Sequence, residues 1–360
     1  MSAFQMSLLI YANIATTALL IVPGITYEHA KRDMWLSPIW GSLSGFLVVY
    51  LVYQLHKLYP HETPIQYMQH ILGRIPGKAV GFVYLLFFLY SGGLTLRQYG
   101  DFLVGAFLNQ TPMLMVMGSL ALSSAFAVRA GLEVLARLSD MLIPIFFLLW
   151  LLIVLLLVPE LEVKNLLPFM EVGIMPSIRG SVAPLSWNMM FFLISSLLPF
   201  LTDRKQGMNW GMFSVVILML TIVITNLATL LLFGGTTGQF VYPVMSAARY
   251  ISYAGFLENL ETFVMAIWIG GTFIKLGLYH YVLVLNTAQW LNLSDYKPIV
   301  LPFALLLTLF GLWVTPNLPE LAHHFSVYSP FELFTFYILI PVILLLVALF
   351  RKRYREKGRK

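Results

Sequence analysis

The chain has 360 residues, of which 59% are hydrophobic, 15% aromatic and only 11% charged, whereas a soluble domain carries about 25% charged residues. With a mean hydropathy of +0.83 it has too little polar surface to cover a water-soluble globule, so lipid must be its solvent. The absence of cysteine excludes disulfide frameworks, thiolate metal sites and cysteine nucleophiles. The net charge of +6 does not point to nucleic acid, because seven of the 22 Lys and Arg fall in the C-terminal RKRYREKGRK.

Apolar runs of roughly 20 residues, long enough as helices to cross about 30 Å of hydrocarbon, mark ten transmembrane spans. In chain order they run from Phe4 to Tyr27, Trp35 to Leu58, Val80 to Leu108, Pro112 to Val128, Leu132 to Val158, Ser181 to Leu201, Trp210 to Gly234, Phe256 to Leu285, Pro298 to Val314 and Phe331 to Phe350. The first lacks a basic leader and exceeds a signal core, so it is expected to stay in the mature protein. Between spans, Thr63 to Leu72 reads as a short helix opened by Thr63 and Pro64 and stopped by Gly73. The whole is expected to form one polytopic domain over 1–350, in two halves of about 1–158 and 175–350, followed by a basic tail over 351–360.

Basic residues are retained on the cytoplasmic side of a membrane. With both termini cytoplasmic, the inner segments hold fifteen Lys and Arg and the outer segments five, with Arg97 and Lys275 left within spans. The tail is expected to lie on anionic lipid headgroups, at about 1 kcal/mol per basic residue.

Each half opens on a disturbed helix. Span one holds Ala15, Thr16, Thr17 and Ala18 between bulky apolar stretches and then Pro23 and Gly24; span six holds Gly180, Ser181, Ala183, Pro184, Ser186, Trp187 and Asn188. Small and hydroxylated residues with a proline release backbone groups that survive in a membrane only against a cavity or a ligand, and matched interruptions in two halves point to a midplane site. Half-helix ends offer partial positive charge to a carboxylate and partial negative charge to an ammonium, which suits a zwitterion. The same small residues also serve plain helix packing.

Ionisable residues inside spans are candidates for function. Arg97 and Asp101 share one face of span three and are read as an outer gate or an ion pair that fixes the helix. Glu133, Arg137 and Asp140 are expected to form an inner-surface network. Lys275 has no acid within helical reach, Glu261 being about 21 Å away along the helix; it needs a partner on another helix, and the simpler reading is that it snorkels to the cytoplasmic interface. His323 and His324 are expected on a solvated outer loop. No P-loop, HExxH or Gly-x-Ser-x-Gly motif is present, so no catalysis, metal or cofactor is expected.

Several segments, taken in order, resemble a known family: Val22 to Gly24 with Ala30 and Asp33 to Trp35, then Leu96 to Pro112, Gly131 to Pro144, Pro199 to Lys205, Tyr242 with Pro243, Arg249, and FLENLETFVMAIW from Phe256. Together they are similar to the B subunits of spore germinant receptors, the endospore germination permeases, within the amino acid, polyamine and organocation transporter superfamily. Where that family carries Arg then Asp after FLE, this chain has Asn259 and Glu261. The resemblance implies an all-α, LeuT-like five-plus-five inverted repeat with spans one and six broken at the ligand. It further implies a nutrient sensor in the inner spore membrane, partnered by the receptor's A subunit and lipoprotein C subunit. In sodium-independent relatives of this fold a buried lysine stands in for the coupling cation, which is the second reading of Lys275. Ligand contacts are expected from Ala15, Thr16, Thr17, Ala183, Pro184, Ser186, Trp187 and Asn188, and the ligand is expected to be a small nutrient, an amino acid above all. A proton-coupled amino acid transporter acting alone is the alternative.

Overall fold

In the computed structural model, residues 1–251 and 260–357 are described, with side chains up to Arg351. Among them every regular element is helical, as a chain in lipid must close its backbone hydrogen bonds within each segment. The helices are α1 (Ala3–Ala30), α2 (Ser37–Leu58), α3 (Pro64–Leu72), α4 (Arg74–Ala106), α5 (Met113–Ala130), α6 (Leu132–Leu157), α7 (Met175–Gly180), α8 (Val182–Met189), α9 (Gly207–Phe233), α10 (Pro243–Tyr250), α11 (Glu261–Leu291), α12 (Val300–Trp313), α13 (Leu318–His323), α14 (Ser329–Phe334) and α15 (Ile340–Lys357). Among the described residues eight stretches are long and apolar enough to cross a bilayer. Of the ten expected spans, the ninth corresponds to the shorter Lys297–Trp313 and the sixth is not one helix at all.

Span one departs from expectation. It is a single helix from Ala3 to Ala30 with Pro23 inside it, and no interruption occurs at Ala15 to Ala18. The hydroxyls explain this: Thr16 Oγ1 donates to Ala12 O at 2.9 Å and Thr17 Oγ1 to Ile14 O at 3.4 Å, so both fold back on the helix they belong to rather than releasing its backbone. A capping box between Ser2 and Gln5 closes the N-terminus.

Span six is interrupted. Helix α7 stops at Ser181, α8 follows, and from Met190 to Ser196 the chain tightens into a 3-10 helix, longer than the three or four residues such turns usually run. Pro184 removes a backbone donor, and two side chains fold back on carbonyls of α8 itself: Ser186 Oγ donates to Val182 O at 2.7 Å and Asn188 Nδ2 to Pro184 O at 2.8 Å. The broken region thus lies at Ser181 and beyond Met189, while Ala183 to Asn188 are helical.

The last span begins earlier than its hydropathy suggests. An apolar helical stretch runs from Leu318 to Arg351, started by Asn317, whose Oδ1 accepts from Glu320 N. Two π-helical turns, His324–Tyr328 and Thr335–Leu339, flank α14 within it. His323 and His324 are therefore on a helix and not on a loop, and His324 is buried.

The two termini share one face. Thr202 N donates to Met1 O, Arg204 contacts His61, His70 pairs with Glu62, and Arg351 Nη1 donates to His70 O. Helix α3 packs here behind its own Thr63–Gln66 capping box and ends at Gly73, whose φ of 99° suits glycine.

Close approach of α2 to the broken span depends on Gly41. A Cβ there would lie 2.7 Å from Pro184 Cβ and 2.8 Å from Leu185 N, and backbone cannot step aside. Gly41→Ala should therefore cost about 1–3 kcal/mol through overpacking, read as a lower unfolding midpoint in detergent; an unchanged midpoint would show that the two elements are loosely apposed.

Candidate functional site

Lys275 lies midway along α11, about 21 Å from its start, and is 3% exposed. It does not snorkel. Its Nζ donates to Thr17 Oγ1 of α1 at 2.8 Å and lies 3.8 Å from Met190 Sδ, at the start of the 3-10 segment. Trp187 Nε1 of α8 donates to the same Thr17 oxygen at 3.1 Å. One hydroxyl offers one donor and two acceptor sites, and Thr17 uses all three: it gives to Ile14 O and receives from Lys275 and Trp187. Among the described residues no carboxylate pairs with Lys275, so an ammonium here is hydrogen-bonded but has no counter-charge.

Lys275 faces a small cavity of about 30 Å³, room for roughly two waters. One face of α4 contributes Ser91, Thr95 and Gln98; α11 adds Tyr279 below Lys275; the broken span adds Trp187 and Met190; and the last helical stretch adds Phe325, Ser329 and Glu332. Gln98 is 2% exposed and its Nε2 has no hydrogen-bond partner among the described residues. A buried amide donor left unpaired costs about 1–3 kcal/mol, and the cavity is where a partner can sit. Opposite Lys275 in chemical sign, Glu332 Oε2 lies 3.4 Å from His324 Nε2, and the Tyr90 hydroxyl lies 3.4 Å from the same ring.

Phe325 separates this cavity from a larger vestibule of about 140 Å³, lined by Gly24 and Glu28 of α1, Phe240, and Leu321. Phe325 also packs on Trp187, with ring centroids 5.4 Å apart. Towards the face with the termini the cavity ends on stacked rings. Phe87 lies parallel to Phe336 at 4.0 Å and Phe192 to Tyr337 at 5.0 Å, while the Tyr84 hydroxyl donates to Phe336 O inside the second π turn. That end of α1 is further tied down: Ala3 N donates to Asp203 Oδ1 at 2.6 Å and Gln5 Nε2 to Asp140 Oδ2 at 2.7 Å.

The other residues singled out from the sequence are distributed as follows. Trp187 lines the cavity, and Thr17 stands behind it as the anchor of Lys275. Thr16 Cγ2 fills the space against Gly271 of α11 and borders a separate apolar pocket with Trp150 and Trp268. Pro184 and Asn188 face α2, against Gly41 and Gly45; Ser186 is bonded to its own helix, and Ala15 and Ala183 are buried. Glu133 and Arg137 pair at 2.6 Å but are exposed, with Asp140 turned away to Gln5; the three do not form one network. Asn259 lies outside the described residues, and Glu261 sits 3.9 Å from Arg249.

Arg97 and Asp101 form a buried pair at 3.0 Å, and Arg97 Nη2 reaches Pro316 O at 2.9 Å, tying α4 to the chain that leads into α13. Tyr242 stands beside them; burial first, and the Asp101 carboxylate second, push its phenol well up. Removing one partner of a buried pair costs about 3–5 kcal/mol. Asp101→Asn should thus lower the unfolding midpoint far more than Glu133→Gln does at the exposed pair, and equal effects would contradict the clamp.

Gln98, Phe325 and Glu332 were not evident from sequence. The usable signal was an acid, Glu332, inside the apolar stretch from Phe325 to Phe350, obscured by the Ser329–Pro330 step that reads as a loop.

Compared with known proteins, residues 1–319 match the family described as "Spore germination protein". The chain is 29% identical to spore germination protein KB of Bacillus subtilis (strain 168) over 354 residues, covering 95% of this chain and 93% of that protein. Two solved transporters share its fold at 10% identity and a TM-score of 0.66: a Na+-coupled sialic acid symporter, covering 94% of this chain and 79% of that one, and Mhp1, a nucleobase-cation-symport-1 family transporter, covering 94% and 78%. The fold is thus the LeuT-like transporter fold, and with its apolar helices the chain is a multi-pass membrane protein.

Proposed function

This chain belongs to the spore germination protein family, and from that premise we propose that it is the membrane-embedded, nutrient-sensing subunit of a spore germination receptor. It binds a small amino acid in the cavity between α4, the broken span, α11 and the stretch from Phe325 to Leu333, with α1 behind Lys275. The observation that carries this reading is the buried Lys275 ammonium, held by Thr17 and facing the cavity without a carboxylate partner among the described residues. A buried cation calls for an anion, and a ligand carboxylate supplies one, with the orphaned Gln98 Nε2 as a second donor. Because Thr17 also holds Trp187, the ligand's arrival is felt by α1, α11 and the broken span together, and a shift between two arrangements of these elements is the signal.

In this reading the protein sits in the inner spore membrane with both termini cytoplasmic and works with the receptor's A and C subunits, its basic tail lying on anionic lipid. The inner and outer basic counts support that orientation. A second reading, a proton-coupled amino acid transporter acting alone, draws on the same lysine, since a desolvated ammonium can release and regain a proton, and on the likeness to two symporters.

Lys275→Met should weaken binding of the recognised amino acid about 10- to 100-fold, the value of a charge-assisted hydrogen bond of about 1.5–3 kcal/mol, measured by calorimetry on purified protein. Unchanged affinity would remove the lysine from the site. Reconstitution in liposomes separates the two readings: concentrative amino acid uptake driven by a proton gradient supports the transporter, and binding without uptake supports the sensor.

A further inference from the structure

The cavity has a second charged wall. Glu332 enters it from α14, a six-residue helix between two π turns, and its side chain is 34% exposed where that of its neighbour His324 is 8%. The carboxylate has two neighbours and acceptor positions to spare. His324 Nε2 stands at Oε2, and the Tyr90 hydroxyl of α4 hydrogen-bonds the carboxylate and lies 3.4 Å from the same imidazole, whereas an ionised carboxylate offers about four acceptor positions. Lys275 and Glu332 thus bring opposite charges to one enclosed space from different helices, with no ion pair between them. A monocarboxylate would neutralise only the first, and a sugar, though able to hydrogen-bond both, would neutralise neither.

We propose that Glu332 is the specificity-determining residue that receives the ammonium group of the ligand, so that the site reads both ends of a zwitterion and selects an α-amino acid over the carboxylic acid or amine of the same skeleton. This rests on the cavity being the ligand site. Two features of the surroundings serve it. The π turns set α14 at a register in which Glu332, Ser329 and Leu333 all reach the cavity, and widened turns of this kind recur at functional sites. Phe325 stands between the cavity and the vestibule, and at Lys275, 3% exposed, little water reaches the contact, which keeps it strong. At about 30 Å³ the cavity must widen to admit the ligand, and Phe325, bordering both spaces, is the side chain whose movement joins them.

The test uses the full-length protein in detergent and three probe sets with common skeletons: glycine, alanine and valine; acetate, propionate and isovalerate; methylamine, ethylamine and isobutylamine. Calorimetry on the wild type should show at least one amino acid binding, with its deaminated partner at least about tenfold weaker. Glu332→Gln should weaken the amino acid about 10- to 100-fold, the range for a charge-assisted contact, and leave the deaminated acid unchanged or tighter. Thermal unfolding of Glu332→Gln and of His324→Gln without ligand reports folding separately. If Glu332→Gln is folded and still prefers the amino acid as strongly as the wild type does, the assignment of Glu332 is overturned while the cavity stands. If Glu332→Gln does not fold, Glu332→Asp takes its place: a changed preference between amino acid and deaminated acid supports the assignment, and an unchanged one overturns it. If amino acids bind equally well to wild type and Lys275→Met, the cavity reading itself fails.

Discussion

A single hydroxyl holds the centre of this molecule together. Thr17 accepts from Lys275 and Trp187 and donates to its own helix, so α1, α11 and the broken span are joined at one polar node. In lipid such a node matters, because helices there gain no hydrophobic advantage from association and rely on packing and interhelical hydrogen bonds. It also keeps an ionisable amine at mid-membrane, where a charge is expensive unless something answers it. Thr17 hydrogen-bonds Lys275 without supplying a counter-charge, and in the proposed reading a ligand carboxylate in the adjoining cavity supplies it.

The rest of the structure frames that charge. On one side Phe325 and Trp187 separate the cavity from a vestibule that reaches Glu28 at the far end of α1. On the other, two ring stacks and the contacts of Ala3, Gln5 and Met1 close the route to the face with the termini. The molecule is therefore shut towards its termini, with one aromatic side chain shared between vestibule and cavity. The buried Arg97–Asp101 pair keeps α4, which carries Gln98, in register with the segment entering α13. These contacts explain how a small ligand could be felt at a distance, since the elements around it are polar-linked and packed rather than free to yield separately.

Much of the architecture was legible in residue order, because runs such as Met141 to Leu157 admit no solvent but lipid. The helix Pro64 to Leu72 could be read from its cap and its glycine. The break in span six was legible too, though displaced, since proline and serine mark where a helix weakens but not where the chain finally unwinds. Span one deceived for a definite reason: threonine hydroxyls bond either to a ligand or to the carbonyl a turn earlier, and sequence does not distinguish the two. Lys275 was misread because distance to a helix end was judged from hydropathy, whereas α11 continues to Leu291. Glu332 was hidden by Ser329 and Pro330, which resemble a loop and instead sit in a helix of irregular pitch.

The absence of native cysteine permits a direct chemical test of the central charge. Lys275→Cys should weaken amino acid binding about 10- to 100-fold, and alkylation of the thiol with 2-bromoethylamine, which rebuilds an ammonium at nearly the length of lysine, should restore it. Ethylation with iodoethane restores the bulk without the charge and should restore nothing. Recovery with both reagents, or full binding by the unmodified Lys275→Cys protein, would show that the ammonium of Lys275 is not what holds the ligand.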